Sequence, residues 1–548
     1  MTRRRPDSTV LATIAVAILS VLTARLIEHL ALRDVPHVMD EMAYILEART
    51  FLLGHVTVPP QLPRAAFEMW LVDNRAARYA VFPPGWPVLL AMAMRVHLEL
   101  WLNPLLHGAT VMAVGSVVKR LGGEWRSRLA GAAIYGFSPQ ALLLAASLMS
   151  QPLIALCAVV VVLGGVSACS GSVSRGPMLA AGVALGVAVA ARPACALVLG
   201  LTLAVFLAIA LRRGRLTIAS VMALAAPVAL GSALLLVYNG AVTGRPTRFP
   251  QNLYFEEHGP PVDLPDFRYR PGCNDLGFGA SHGCDATPHT IADGVANTGE
   301  NAEAWGLLAG GGPLIFVAAL LGAALGRERA ASFAALSSIG FAVAIYALYW
   351  NAGTCFGARF YHAALPPLCA VAGVGIEVAL ARWRVIALAA ATVWLAWNGY
   401  AMRASGREIA NDYFGTDDRF ARLAARWDRA EPAVVMIAFT HDGYPSRPTY
   451  RWTLDLKDVY FMNSVRALSA LWLDSPRLDG PLVFAKYHPA IVPELRARFP
   501  NRRFFLYVVR DDAGGDELRP YDDTLAATAP ALPYPKDNFD GYILPATP

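Results

Sequence analysis

Lysine is almost missing from this chain: Lys119, Lys457, Lys486 and Lys536 are the whole of it among 47 basic residues, as expected of a GC-rich bacterial coding sequence. Charge of either sign is scarce too. At 16% charged and 55% hydrophobic over 548 residues, the composition excludes an ordinary soluble globular protein. None of the seven cysteines forms a CxxC pair, and Cys157, Cys169 and Cys195 lie in apolar runs, which excludes a zinc module of that type. No internal repeat or low-complexity tract is evident, although 530–548 is proline-rich and reads as an extended arm. The formal charge of +6 is scattered over short loops without a basic face, so nucleic acid is not an expected partner.

What is abundant is apolar length. About eleven runs approach the roughly 20 residues that cross a bilayer, near 9–31, 101–118, 127–147, 152–168, 177–191, 194–211, 216–238, 304–324, 331–350, 362–380 and 384–400. A shorter stretch, 85–96, reads as a re-entrant or interfacial helix, because counting it as a span would invert every later loop. Arg3 to Arg5, Lys119 with Arg120, Arg126 and Arg128, Arg175, Arg212 to Arg215, Arg327 with Arg329, and Arg382 with Arg384 then share one side. By the positive-inside rule that side is the cytoplasm. The basic start and apolar core could also open a signal peptide, but the run is long and lacks a convincing cleavage site before Asp40.

The expected fold is therefore mainly α: a multi-pass bundle over 1–402 in the bacterial cytoplasmic (inner) membrane, N-terminus in the cytoplasm. Its outer loops are near 33–100 and 239–303. The remainder, 403–548, reads as a small extracytoplasmic α/β domain. Strand-like runs stand at 433–439, 481–487 and 503–509, with helical candidates at 418–430 and 493–499.

Asp40 and Glu41 are the pair with most chemical promise, two carboxylates just beyond the first span on the outer side. A carboxylate there can serve as general base beside a lipid head group. The same acids can equally be first-turn residues of a helix, stabilising its N-terminus by about 0.3–1 kcal/mol through capping and the helix dipole.

The ordered set Asp40-Glu41-x-x-Tyr44, Tyr79-x-x-Phe82-Pro83-Pro84-Gly85-Trp86-Pro87, Asn103-Pro104-Leu105-Leu106, Arg192-Pro193, Tyr238-Asn239 with Thr243-Gly244, and Gly357-Ala358-Arg359-Phe360-Tyr361 resembles the GT-C membrane glycosyltransferases. The branch related to protein mannosyltransferases and lipid A aminoarabinose transferases is the most similar. The likeness covers about residues 1–400. It implies inverting transfer of a sugar from a polyprenyl-phosphate donor to an acceptor hydroxyl of a protein, lipid or glycan, on the outer face, with membrane lipids as surroundings. Asp40 matches the acidic residue that such enzymes use as base, and Glu41 stands beside it.

Cations on the same face suit the leaving phosphate. Arg359 and Arg192 are the first candidates, since a guanidinium can grip phosphate oxygens in a fork, and Arg78, Arg64 and Arg75 of the first outer loop follow. Snorkelling towards lipid head groups or pairing with loop acids is the plainer role for each. Tyr79, Pro84, Trp86 and Tyr361 read as groove-shaping residues. Prolines fix the backbone at a helix start, and Trp86 equally suits an aromatic belt.

No cofactor is expected. A divalent metal is conceivable from His55, His258, His282, His289 and His362 with Asp285, though no ligand spacing supports it. Cys273 and Cys284 flank a Gly-rich turn in the second outer loop, where an oxidising compartment favours a disulfide over free thiols or a metal pair with His282 and Asp285. A polytopic flippase or transporter of lipid-linked sugar is the alternative function. It would be expected to carry charge near the bilayer midplane, and the later spans have almost none.

Overall fold

The computed structural model describes residues 8–170, 174–258, 289–349, 352–410, 416–439, 469–509 and 516–522. Cys273, Cys284, His282 and Asp285 lie outside the described residues. Helix α1 (Ser8–Leu30) leads into α2 (Met39–Leu52), followed by α3 (Arg64–Phe67), the antiparallel pair β1 (Val72–Asn74) and β2 (Arg78–Ala80), and α4 (Gly85–Arg95). Next come α5 (Glu99–Arg120), α6 (Trp125–Gly136), α7 (Pro139–Ala145), α8 (Gln151–Ser170), α9 (Arg175–Ala191), α10 (Pro193–Arg212) and α11 (Ile218–Thr243). The bundle closes with α12 (Pro250–His258), α13 (Ile291–Leu308), α14 (Leu314–Leu325), α15 (Arg329–Ala347), a 3-10 turn at Arg359–Ala364 continuous with α16 (Leu365–Arg382), and α17 (Arg384–Ala410).

Among the described residues eight helices are long and apolar enough to cross a membrane: α1, α5, α8, α10, α11, α15, α16 with its preceding turn, and α17. The protein is a multi-pass membrane bundle. The other three expected runs are shorter or broken, for local reasons. Run 127–147 is cut where Pro139 opens α7, because proline cannot donate to the preceding turn; the Ser138 hydroxyl caps Ala141 N at 3.4 Å. Run 304–324 is cut at Gly310, Gly311 and Gly312, with φ of 114°, 84° and 59°, followed by Pro313. A Cβ on Gly311 would stand 1.9 Å from Cδ1 of Trp394, so the break also makes room for an aromatic of α17. The third, α9, is apolar but stops at Ala191, before Arg192 and Pro193.

Small residues set the helix spacing. A Cβ on Gly375 of α16 would lie 1.7 Å from the Ala318 carbonyl oxygen of α14, and one on Gly231 of α11 2.3 Å from that of Gly186 in α9. Backbones therefore touch directly, as expected where lipid offers no hydrophobic incentive for helices to associate.

The two ends of the bundle differ. At one, Arg213 donates to the Cys169 carbonyl at 2.7 Å, Arg327 lies 3.7 Å from Glu124, and Glu124 N donates to Glu377 at 2.9 Å. At the other, Asp34 takes Arg25 at 2.6 Å and His29 at 2.7 Å, and the chain after α1 meets the tail through His37 with Thr416 (2.7 Å) and Arg33 with Asp418 (3.4 Å).

The tail contributes α18 (Arg419–Arg426), β3 (Ala433–Phe439), β4 (Leu482–Lys486), α19 (Val492–Arg498), β5 (Arg503–Val509) and β6 (Glu517–Pro520). The sheet order is β4-β3-β5-β6. Ala433 pairs with Leu482 and Arg503 in parallel, while β6 runs antiparallel to β5 with Tyr507 opposite Leu518. Alternation sends Val434, Met436, Leu506 and Val508 towards α3 and α19. Val435, Ile437, Phe484 and Tyr507 go into a core shared with Met42, Ala43 and Leu46 of α2. Arg49 of α2 closes the joint by donating to the carbonyls of Trp472 (2.5 Å) and Asp474 (3.2 Å).

If the basic end is cytoplasmic, a reporter inserted after Arg213 and one inserted after Asp479 will register opposite sides of the membrane in a protease-accessibility or dual-reporter assay. Both registering the cytoplasm would remove the outer face on which the expected chemistry depends.

Candidate active site

The site starts from an irregular stretch that a protein interior tolerates only if its backbone is satisfied. Between α7 and α8, residues 146–150 leave helical geometry while wholly buried. Three side chains meet the exposed peptide groups. Glu41 Oε1 accepts Leu148 N at 2.7 Å; Trp86 Nε1 donates to the Leu148 carbonyl at 3.0 Å; Asn103 Nδ2 donates to the carbonyls of Ser147 (2.5 Å) and Met149 (2.8 Å). The acid pair, the proline-rich motif and the Asn103-Pro104 motif thus converge on one loop.

Glu41 is committed at both oxygens. Oε2 accepts the N–H groups of His37 and Val38 at 2.9 Å each, tying the start of α2 to its third helical residue. Burial raises this carboxyl above the ordinary range, opposed by the N–H donors of Leu148, His37 and Val38.

Asp40, one residue earlier, points elsewhere. Its Oδ1 lies 3.3 Å from Nη1 of Arg359, and the two side chains are 14% and 11% exposed. Arg359 follows Gly357, whose φ of 87° turns the chain into the 3-10 segment. Its Nε and Nη1 are buried without a hydrogen bond. Arg192 caps α10, with Pro193 at the first helical position, and its Nη1 donates to Ser150 Oγ at 3.0 Å. The Tyr44 hydroxyl is 3.4 Å from the same Ser150 oxygen. Arg192 and Arg359 both lie over the Phe360 ring, at 5.7 and 5.2 Å from its centroid. Two guanidinium groups and one carboxylate leave this pocket of side chains with a surplus positive charge.

Glu47 lies on the same face of α2 as Asp40 and Tyr44, seven residues on from Asp40. It accepts the Tyr238 hydroxyl at 2.5 Å, which places the Tyr238-Asn239 motif beside the same helix. Burial pushes the Glu47 carboxyl well up.

The remaining expected residues are dispersed. Arg78 is not among the cations facing Asp40. It is 2% exposed beneath the tail, bonded to Gln61 Oε1 and donating to the Phe67 carbonyl at 3.2 Å, because strand β2 turns it into the joint with the sheet. Arg64 donates to the Arg75 carbonyl nearby. Tyr79 donates to Asp73 at 3.3 Å, and Pro84 caps α4. Trp86 is fully buried, so it shapes the protein interior, neither a lipid-facing groove nor an aromatic belt. Tyr361 is buried edge-on to Trp305, centroids 5.7 Å apart. His55, His289 and His362 stand apart: beside Arg477, against the Ala347 carbonyl, and against Gln140. Among the described residues no three His, Cys, Asp or Glu side chains converge as ion ligands. Sequence reading missed Ser150 and assigned no role to Phe360. Ser147, Ser150, Gln151 and Pro152 between two apolar runs were the available signal for the first.

No family model and no curated protein matches the sequence. Among solved structures, ArnT from Cupriavidus metallidurans bound to undecaprenyl phosphate is similar over 94% of both chains, at 14% identity and a TM-score of 0.48. The apo state of the same ArnT is similar over the same shares, at 14% and 0.46. The oligosaccharyltransferase AglB from Archaeoglobus fulgidus, in complex with an inhibitory peptide and a dolichol-phosphate, is similar over 90% of this chain and 69% of that one, at 12% and 0.45.

Removing one partner of the buried loop should cost about 1–3 kcal/mol, because a peptide group is then left unsatisfied. Trp86→Phe and Asn103→Leu, each purified in detergent, are expected to lower the thermal unfolding midpoint. A midpoint unchanged in both would mean that the loop does not depend on these bonds.

Proposed function

We propose that this chain is an integral-membrane glycosyltransferase that moves a sugar from a polyprenyl-phosphate donor to an acceptor hydroxyl on the extracytoplasmic face, with inversion. The observation that carries the reading is the largely buried Arg359, its Nη1 3.3 Å from Asp40, its Nε without a hydrogen bond, and its guanidinium sharing the Phe360 ring with a second arginine. Two guanidinium groups against one carboxylate leave a surplus positive charge that suits an anion with several oxygens, and a phosphate monoester or diester supplies them. The nearby carboxylate suits proton removal from a hydroxyl. The ordered motifs of the sequence support the same chemistry.

In this reaction the acceptor oxygen attacks the anomeric carbon from the side opposite the lipid phosphate, and its proton passes to Asp40. The bond from the anomeric carbon to the phosphate oxygen breaks in the same displacement. The departing polyprenyl phosphate takes the electron pair, and Arg359 and Arg192 stabilise its growing charge. One displacement inverts the anomeric centre, and no covalent enzyme intermediate is needed. Glu41 acts through position: both its oxygens hold backbone, so it fixes the turn on which Asp40 stands.

The test is transfer of labelled sugar from a synthetic polyprenyl-phosphate donor into a membrane extract by purified protein. Asp40→Asn should lower kcat by about 10²–10⁴-fold, the span that general base catalysis supplies. Arg359→Ala should weaken donor binding. Near-normal turnover in Asp40→Asn would sink the base assignment, and absence of transfer from every such donor would sink the function.

A further inference from the structure

Arg192 and Arg359 come from different parts of the chain, carry the same charge and lie over one aromatic ring. Something must offset that repulsion before any anion arrives. Asp40 does so for Arg359 at 3.3 Å. Arg192 has a neutral hydrogen-bond partner, Ser150. Asp40 and Tyr44 are near enough to act on both guanidinium groups, and both groups also lie over the ring of Phe360, at 5.7 and 5.2 Å. An aromatic face attracts cations through its quadrupole, most strongly where water is excluded, and Phe360 is 5% exposed.

The ring is itself held by several elements. Tyr346 of α15 stacks on it at 4.7 Å and 7° between planes, and Tyr349 meets it edge-on at 5.4 Å and 85°. Gly353, at φ 67°, leaves it space, since a Cβ there would fall 2.1 Å from its Cε2. The Tyr346 hydroxyl lies 2.8 Å from Cys195 Sγ, one turn beyond Arg192 on α10. The stack therefore joins the strand of chain bearing Arg359 to the helix bearing Arg192.

We propose that Phe360 is a positioning residue for the donor phosphate, its ring being the shared surface on which Arg192 and Arg359 are held as a pair. The inference rests on the glycosyltransferase reading for the identity of the anion. It predicts that the electron density of the ring, beyond its bulk, sets affinity for the donor.

Incorporating mono-, di- and trifluorinated phenylalanine at position 360 withdraws that density while nearly preserving size. Binding of sugar-free polyprenyl phosphate and donor KM are then measured on the full-length protein. A stepwise weakening is expected, reaching roughly tenfold for the trifluorinated ring if about 1 kcal/mol or slightly more is lost over the two contacts. Phe360→Leu should weaken binding at least as much, and Phe360→Tyr, which keeps the π face, should stay closer to wild type. Affinity flat across the fluorine series would overturn the inference even if Phe360→Leu is impaired, because bulk alone would then explain that variant. Wild-type protein that binds no polyprenyl phosphate would overturn the functional reading, and this inference with it.

Discussion

The carboxylate of Glu41 closes three hydrogen bonds across a gap in the helical scaffold, and the geometry around Asp40 depends on them. Inside a membrane protein a peptide group without a partner costs more than most single contacts return. The stretch 146–150 can be irregular because Glu41, Trp86 and Asn103 bring acceptors and donors to it from three elements. In return the loop presents the Ser150 hydroxyl to Arg192 and Tyr44. Glu41 thereby registers α2 against α8 and α10, and so sets Asp40 against Arg192 and Arg359.

The division of labour between adjacent acids follows from helical geometry. Successive side chains on a helix point about 100° apart, so Asp40 and Glu41 cannot face the same site. One looks towards Arg359 and stays partly accessible. Its neighbour looks into the protein and is consumed by backbone.

Much of the bundle was legible in the sequence because hydropathy reports where lipid or protein must cover the chain. Eight of the expected runs are single long helices, α9 covers a ninth as a shorter one, and the two that are broken are cut at proline or glycine, where the local conformation overrides apolar composition. Asp40 and Arg359 could be named beforehand through the order of motifs. Their pairing could not be derived from spacing, since tertiary packing alone brings α2 to the 3-10 turn before α16. Arg78 shows the converse: sequence placed it in the segment between the first two long helices, but the face of a three-residue strand decides which way a side chain turns. Phe360 stood in the Gly357 to Tyr361 motif without a role assigned to it, because an aromatic in a membrane protein's loop has many ordinary uses. Trp86 misled for the same reason, its indole N–H finding a buried carbonyl in place of an interface.

The apolar core beneath the sheet does not end at the tail. Met42, Ala43 and Leu46 of α2, with Met69, Leu71, Val72, Ala80 and Val81 of the segment between α3 and α4, bury against β3, β4 and β5. Cutting the chain after α17 would leave those side chains facing water as one contiguous greasy patch, which soluble surfaces rarely sustain without sticking to something. The two portions thus share an interior, and a clean excision point for an isolated membrane half does not exist along the polypeptide.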